Sequence, residues 1–505
     1  MENKTRRILI IAAATAVAAL TVLAVVEWLQ RRPLGDRLPK PAISYSLQAD
    51  PFYGLGDYDM SLISVGGVNL VTAKLEADFP GEAEDPANIP PLPGEVLDLQ
   101  IPGLAETLQK QARERAATMA ATGLASGQPE LAAMSMNLAL AQGGRRQAIA
   151  HLDPESRSIV IDATLAIDDV VAPQLAHSPS GRTLSLGSAV PNPDREVARL
   201  SLDRAFISRD GGRHWRFDPK SSTTTLIGSS SFSGQLSEDS VYFSEGHDLW
   251  IRASPERPWQ RIDLLKTVWA NHPQQQKGGK PSVEWMVLPR PNGVLTGWSL
   301  WTEKKYDEDG SLLHTWFREA RRFEVVASEA GVARVDNVAP TDEIDTPMSF
   351  YPRDIHRAAD GSALWNYSGR MLYLQPQSWR WQEIDTPDAR GFSSRVLEAW
   401  VGRNALIVKV GSDTAWDRLA CYLPLRAQRM RQCDAASAQA YFFSTDAGRH
   451  WRAFTLPLDI DGFSSHILGW DDVQGQLLLR RTEWNGSRSA TAIDGYPLPT
   501  AASPK

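Results

Sequence analysis

The sequence is poor in cysteine and lacks the short motifs that mark several common catalytic centres. Only Cys421 and Cys433 occur among 505 residues, which excludes a disulfide-rich scaffold. The nine histidines form no HExxH or His-x-His pair, and neither a Gly-x-Ser-x-Gly nor a phosphate-loop sequence is present. We therefore expect no cofactor and no metal, and the sequence gives no catalytic residue.

The chain also lacks a surplus of basic residues. Its net charge is −7 and its pI is about 5.8, so it has no electrostatic footprint for nucleic acid. With 42% apolar and 22% charged residues it can bury a large core. We expect a globular body with no nucleic-acid partner.

Long apolar runs are absent except at the start, where Ile8–Val26 is uncharged. As a helix this run is about 28 Å long, close to the hydrocarbon thickness of a bilayer. A cleaved signal peptide is the alternative, but the run ends in Glu-Trp-Leu-Gln-Arg-Arg and no small-x-small site follows it. The sequence predicts a cytoplasmic N-terminus at 1–7, a single-pass transmembrane signal anchor at 8–29 and a stalk at 30–50.

The two cysteines indicate on which side of the membrane the body lies. Cys421 and Cys433 are close enough in sequence to form a loop-clamping disulfide in an oxidising compartment. Two unpaired thiols in a cytosolic domain are the alternative. Together with the anchor, the pair predicts an inner-membrane protein whose main domain lies in the periplasm of a Gram-negative bacterium.

One short pattern occurs twice, as SRDGGRHW and as STDAGRHW. Each copy follows an apolar run and precedes Arg, which is typical of a hairpin. The Asp carboxylate can accept hydrogen bonds from turn N–H groups, and the Gly can take a positive φ. The Trp then begins the next strand and packs under the turn. The turn residues are Ser208, Asp210, Gly212 and Trp215 in the first copy and Ser444, Asp446, Gly448 and Trp451 in the second.

The repeated pattern resembles the Asp-box of BNR repeats, found on sialidase-like and other β-propellers between the third and fourth strands of a blade. The resemblance covers 16 residues and implies an all-β propeller, with the box as a structural element remote from any catalytic face. His214 and His450 lie in the boxes, where we expect them to flank the turn and not to ligate a metal.

Degenerate units between the two boxes predict the remaining blades. We expect about seven four-stranded blades over 51–495, with six or eight also compatible, and a tail at 496–505. A strand from the other terminus often closes the last blade of a propeller. The alternative is an antiparallel sandwich whose tryptophans are unrelated core residues. The tryptophans predicted to be equivalent are Trp215, Trp259, Trp316, Trp381 and Trp451.

Residues 103–142 depart from the strand pattern. Apolar residues from Leu104 to Met119 fall on one helical face, and Pro129 opens a second helical stretch. The sequence predicts a helical hairpin inserted into an early blade. It either packs on the propeller edge or serves as a partner-binding arm with adaptable methionines.

A sialidase active site has weak support. The nearest match to the first active-site arginine of sialidases is Arg37, but the aromatic residue that precedes that arginine in sialidases is missing here. Tyr351–Asp354 is more typical of a strand end than of a catalytic cluster. Asp307–Gly310 resembles the start of a calcium loop but lacks the closing Glu, which favours a hairpin turn.

We therefore expect a non-catalytic recognition or inhibitory protein with a protein partner in the envelope. Immunity to a toxin delivered into the periplasm is one concrete form of this hypothesis. The alternatives are a sialidase-like glycoside hydrolase and an assembly or scaffolding factor for an envelope complex.

Overall fold

Strands dominate the protein. The computed structural model describes residues 2–498 apart from short gaps of one to three residues and the following longer ones: 48–52, 78–90, 122–145, 167–173, 192–198, 219–231, 271–279, 328–332, 345–349, 415–437 and 458–464. Cys421 and Cys433 lie outside the described residues, so their disulfide stays a prediction.

Five separate sheets each contain four consecutive antiparallel strands, and we name them blades I to V. Blade I contains β9 (Gln174–His177), β10 (Leu184–Pro191), β11 (Arg199–Ser208) and β12 (Arg216–Phe217). Blade II contains β13 (Ser233–Gln235), β14 (Val241–Glu245), β15 (Asp248–Arg252) and β16 (Gln260–Asp263). Blade III contains β17 (Lys280–Pro289), β18 (Val294–Tyr306), β19 (Leu312–Ala327) and β20 (Ala333–Pro340). Blade IV contains β21 (Ile355–Arg357), β22 (Ala363–Tyr367), β23 (Arg370–Leu374) and β24 (Trp381–Ile384). Blade V contains β25 (Ser394–Gly402), β26 (Ala405–Ser412), β27 (Ala438–Ser444) and β28 (Arg452–Thr455), with β1 (Asp36–Arg37) added in parallel to β28.

The sixth sheet has ten strands, and we call it the closure sheet. Its N-terminal half pairs β4 (Ser61–Val65), β5 (Val68–Ala77), β7 (Arg146–Asp153) and β8 (Ser158–Ala166) in antiparallel order. Its C-terminal half pairs β29 (Ser465–Asp471), β30 (Gln476–Asn485), β31 (Arg488–Pro497) and β2 (Ile43–Leu47) in the same way. The short strands β3 (Tyr53–Leu55) and β6 (Glu95–Val96) join β5 and β8.

This arrangement confirms an all-β, propeller-like fold, but five separate blades are fewer than the seven predicted. The difference arises because β2 pairs with two strands at once. Its Ser46 and Leu47 lie in parallel register with Ser158 and Ile159 of β8, which fuses the first and last antiparallel sets into one sheet.

The N-terminal strand β2 closes the ring, and this corrects the predicted stalk. Residues 36–37 and 43–47 are strands of blade V and the closure sheet, so the segment predicted at 30–50 is not a free linker. The Ser44 hydroxyl donates to the buried Asp494 carboxylate of β31, and Arg481 Nε binds the other carboxylate oxygen at 2.8 Å. The last blade therefore uses a strand from the opposite end of the chain.

The chain begins with helix α1 (Glu2–Arg31). Among the residues that the structure describes, no helix is both long and apolar enough to cross a membrane. Nothing is described of the side chains of residues 2–14, and residues 8–14 belong to the predicted 8–29 anchor.

The described residues between Leu104 and Ala121 are helical, in line with the first arm of the predicted insertion. Gly103, which precedes them, is not helical. Leu104 and Leu108 are buried against blade I and the closure sheet. The second arm, from Pro129, lies outside the described residues. A further short helix, α2 (Leu264–Val268), follows blade II and is capped by Asp263, which accepts from Lys266 N at 3.0 Å.

Four of the five tryptophans predicted to be equivalent occupy one structural position. Trp215, Trp259, Trp381 and Trp451 each stand at the start of the fourth strand of their blade. Trp316 does not, because it lies within β19, the third strand of blade III, whose fourth strand begins at Ala333. The β18–β19 hairpin is long, so the spacing between tryptophans, from which the equivalence of Trp316 was predicted, does not mark the fourth strand of this blade.

Replacing Asp494 with Ala should lower thermal stability, because it leaves Ser44 and Arg481 without their shared acceptor at the ring closure. We expect a cost of roughly 2–3 kcal/mol, as for hydrogen bonds to a charged group. Differential scanning fluorimetry measures the change. Asp36→Ala, an exposed carboxylate on β1, is the control. Equal midpoints for the two variants would show that this contact does not secure the closing strand.

Candidate functional site

The two repeated turns have the same hydrogen-bond network. In the first, Ser208 Oγ donates to Asp210 Oδ1 at 2.8 Å and accepts from Gly212 N at 2.9 Å. Asp210 Oδ1 also accepts from His214 N at 3.1 Å. The second turn has the equivalent bonds at Ser444, at 2.8 and 2.9 Å, and at His450 N, at 3.0 Å. Gly212 and Gly448 both have positive φ. The Ser and Asp side chains of the repeated pattern thus hydrogen-bond within their own turns.

The histidines of the turns contact the same carboxylates. His214 Nδ1 lies 2.6 Å from Asp210 Oδ2, and that bond raises the pKa of the imidazole. At the second turn desolvation acts to raise the pKa of Asp446, but bonds from the side chain and backbone of His450 and from Ser444 lower it to about 2. His214 and His450 therefore flank the turns and contact the turn carboxylates.

The tryptophans of the two turns differ in burial. Trp215 is 2% exposed, and its indole N–H donates to Gly212 O within the same turn at 2.8 Å. Trp451, expected to be buried, is only half-buried, and its indole N–H donates to Asp385 O beyond blade IV at 2.9 Å. Trp215 therefore stabilises the turn of its own blade, whereas Trp451 connects blade V to blade IV.

Trp215→Ala should therefore destabilise the protein more than Trp451→Ala. Truncation of the buried ring leaves a cavity and should cost about 3–5 kcal/mol. The half-buried ring loses less area from the core, about 1–2 kcal/mol. Thermal midpoints of the two variants, measured side by side, test the difference. The reverse order would contradict the assigned burial.

Both repeated turns lie on one face of the ring, which we call the turn face. It carries the turns between first and second strands and between third and fourth strands of each blade. Side chains there join neighbouring blades: Arg209 Nη2 binds Asp239 Oδ1 at 2.7 Å, and Glu238 accepts from Thr183 Oγ1 at 2.5 Å. The opposite face, the connection face, carries the links between blades and between second and third strands.

A cavity of about 340 Å³ occupies the centre of the ring. It is lined by the innermost strand of each of the five blades and by β4 and β29 from the two halves of the closure sheet. Its polar lining includes Ser64, His177, Gln235, His356 and Asp472. All six sheets contribute described residues to its lining, and so it is a candidate ligand site.

Two groups in the cavity have unusual environments. Burial lowers the pKa of His356, so its imidazole is neutral at physiological pH. Gln235 is 3% exposed, and its Oε1 has no hydrogen-bond partner among the described residues. Its amide nitrogen donates to Ser237 O at 2.9 Å, which fixes the orientation of the amide. The residues that line the cavity therefore include a buried amide oxygen without a described partner and a neutral imidazole.

Asp472 lies where the cavity opens on the turn face. Its Oδ1 accepts from Arg403 N of blade V at 2.6 Å, and its own N–H donates to Ser64 Oγ of β4 at 2.9 Å. Desolvation, with the nearby Asp360 charge, raises the pKa of this carboxyl to about 6 against the opposing bond from Arg403. One acidic residue thus joins blade V to both halves of the closure sheet.

Asp472→Asn should change how stability depends on pH. Because the folded-state pKa lies above the ordinary 3.8, the protonated form stabilises the fold fully below about pH 4. That stabilisation is lost as pH rises through about 6. The amide keeps the acceptor for Arg403 N, so the variant should melt higher than wild type at pH 7.5, with a smaller difference at pH 4.5.

Thermal melts of both proteins from pH 4 to 8 provide the measurement. Asp309→Asn, an exposed carboxylate on the β18–β19 turn, is the control and should follow wild type. Parallel profiles for wild type and Asp472→Asn would contradict a raised pKa at this position.

The β18–β19 hairpin ends on the connection face with exposed apolar side chains. Tyr306, Leu312 and Leu313 are 40%, 53% and 58% exposed. Asp307, Asp309 and Gly310 belong to its turn, where Asp307 Oδ1 accepts from Asp309 N and Ser311 N at 3.1 and 2.6 Å. These contacts are those of a hairpin turn, as predicted.

The structure does not gather sialidase-type residues in the cavity. Arg37 lies in β1 on the outer edge of blade V. Among the described residues the arginines of the cavity and its mouth are Arg357 and Arg403. Tyr351 is exposed, and Pro352 and Arg353 lie outside the described residues. The described side chains also contain no cluster of His, Cys, Asp and Glu that could hold a metal ion.

No family model and no curated protein sequence matches the chain. Similar solved structures include a polysaccharide lyase of the ulvan lyase type, with 8% identity, 92% of this chain and 94% of that chain covered, and a TM-score of 0.37. Another is a mannose phosphorylase from Leishmania mexicana, with 10% identity, 70% and 90% covered, and a TM-score of 0.22. A third is a mitotic checkpoint complex, with 9% identity, 92% and 94% covered, and a TM-score of 0.31. At these scores none supports an inference about activity, and the propeller assignment rests on the strand pairing of this chain.

Proposed function

We propose that this protein is a membrane-anchored, periplasmic β-propeller that recognises a protein partner through its connection face. The observation that carries the proposal is the exposed apolar tip of the β18–β19 hairpin on that face, formed by Tyr306, Leu312 and Leu313. Exposed apolar side chains grouped beside polar ones are typical of protein-binding surfaces. The opposite face uses its polar side chains to join blades and so has a structural task.

The lengths of the connections favour the same face. Residues 78–145 separate β5 from β7, and residues 413–437 separate β26 from β27. Turns on the other face are much shorter, as in 66–67 and 403–404. Long connections placed on a rigid scaffold are where binding residues usually occur.

The membrane part of the proposal rests on α1. The apolar run Ile8–Val26 lies within this helix, and its side chains Val17, Leu20 and Val22 are more than half exposed. Side chains of this kind are expected to lie in lipid. An inner-membrane anchor places the propeller in the periplasm, where an inhibitory protein, such as one giving immunity to a delivered toxin, or an assembly factor would meet its partner.

A sialidase-like glycoside hydrolase is the second candidate, and Asp472 is the observation in its favour. A carboxyl group with a pKa near 6 has the property of a general acid in glycoside hydrolysis. Its hydrogen bonds to Arg403 of blade V and to Ser64 of β4 also give it a structural task. We therefore rank recognition first.

Partner capture tests the recognition surface. Full-length protein is purified from detergent-solubilised native membranes as wild type, as Leu312→Ser with Leu313→Ser, and as Val473→Ser. Val473 is 51% exposed and lies on the turn face, so it is a matched control for loss of exposed apolar area. We expect a stoichiometric protein that co-purifies with wild type and Val473→Ser and is lost with the double variant.

Two capture results would contradict the proposal if the purified wild type also hydrolyses a sialoside. One is equal capture of a partner by all three proteins, and the other is no capture by any of them. In that case the hydrolase reading takes its place, and Asp472→Asn should abolish the turnover.

Topology is tested separately. A C-terminal alkaline phosphatase fusion should be active because the body lies outside the cytosol, and the mature protein should begin at or near Met1. An inactive fusion, or a mature N-terminus beyond Val26, would contradict the uncleaved anchor.

A further inference from the structure

The end of α1 is attached directly to blade V. Leu23, Val26, Glu27 and Gln30 are half-buried and share one helical face at spacings of three and four residues. Glu27 Oε1 accepts from Thr414 Oγ1, just beyond β26, at 3.0 Å. The helix therefore leaves blade V at a defined place and does not swing from a tether.

The link from helix to sheet is also short. Only residues 32–35 separate α1 from β1, a reach of at most about 14 Å. Within this link Leu34 packs on the blade V core, and its carbonyl accepts from Thr455 Oγ1 at 3.0 Å. The outer edge of blade V must therefore stay within a few residues' reach of the helix end.

The surface next to the helix end has the side chains that suit a bilayer interface. Trp28 and Leu29 are exposed, and the Arg32 guanidinium lies 4.4 Å from the centroid of the Trp28 ring. Arg37 and Lys40 are exposed, and no carboxylate of the described residues pairs with either. Tryptophan and basic residues at the end of an apolar helix are typical of the headgroup region.

We infer that the outer edge of blade V rests on the bilayer, with Arg37 and Lys40 against anionic lipid headgroups. The inference rests on the proposed anchoring by α1 and adds a second, peripheral contact to it. An anionic leaflet raises the equilibrium constant for contact between a basic side chain and the headgroups by about fivefold. The exposed carboxylate of Asp36 lies next to Arg37 in sequence and opposes the attraction of the two cations to anionic lipid.

Amine labelling of the full-length protein in nanodiscs tests this contact. One set of discs contains phosphatidylcholine alone, and the other contains phosphatidylglycerol as well. We expect Lys40 to be labelled about fivefold more slowly in the anionic discs. Lys266 in α2, on the far side of the ring, is the internal control and should be labelled at the same rate in both. Raising the ionic strength to about 1 M should remove the protection because it shortens the Debye length to about 3 Å.

Arg37→Gln should weaken the protection of Lys40, whereas Arg216→Gln, the same change on the fourth strand of blade I, should leave it unchanged. Equal labelling of Lys40 in both discs, with the protein still in the discs, overturns the headgroup contact and leaves the anchor intact. Failure of the protein to enter discs overturns both the anchor and this inference.

Discussion

Pairing of β2 with β31 is the interaction on which the rest of the structure depends. A ring of sheets reaches its full stability only when the first and last elements meet, because the two terminal sheets otherwise each have one uncovered face. Here the N-terminal strand supplies the fourth strand of the last antiparallel set and also touches β8 of the first. The Asp494 carboxylate fixes this strand through Ser44 and Arg481. Closure is thus non-covalent and specific.

The turn face of the ring has a structural task, and the proposed binding task belongs to the connection face. On the turn face, side chains bridge adjacent blades, as Arg209 does to Asp239 and as Asp472 does to Arg403. The Arg209–Asp239 pair is exposed and contributes little stability, whereas the bond to half-buried Asp472 is better shielded from water. The connection face is thereby free to vary in length and composition without loss of the ring. The exposed β18–β19 tip is the described example of that freedom.

The sequence could predict local structure because its signals are local. The repeated SxDxGRHW pattern fixes a turn through contacts within eight residues, and four tryptophans follow the same position in their blades. Trp316 was assigned wrongly because a spacing count cannot register a long hairpin. The stalk was also wrong, since β1 and β2 pair with strands more than 400 residues away. No sequence pattern indicated the unusual environment of Asp472, because three separate parts of the chain form that environment.

The attachment of α1 links the proposed anchor to the proposed binding face. Thr414 lies at the end of β26 where the chain enters the connection face, so the helix end and that face are on the same side of blade V. A ring held in this way cannot rotate freely about a stalk. A partner recognised on the connection face would therefore meet the propeller close to the bilayer, which favours a partner that is itself bound to the membrane over one that diffuses through the periplasm.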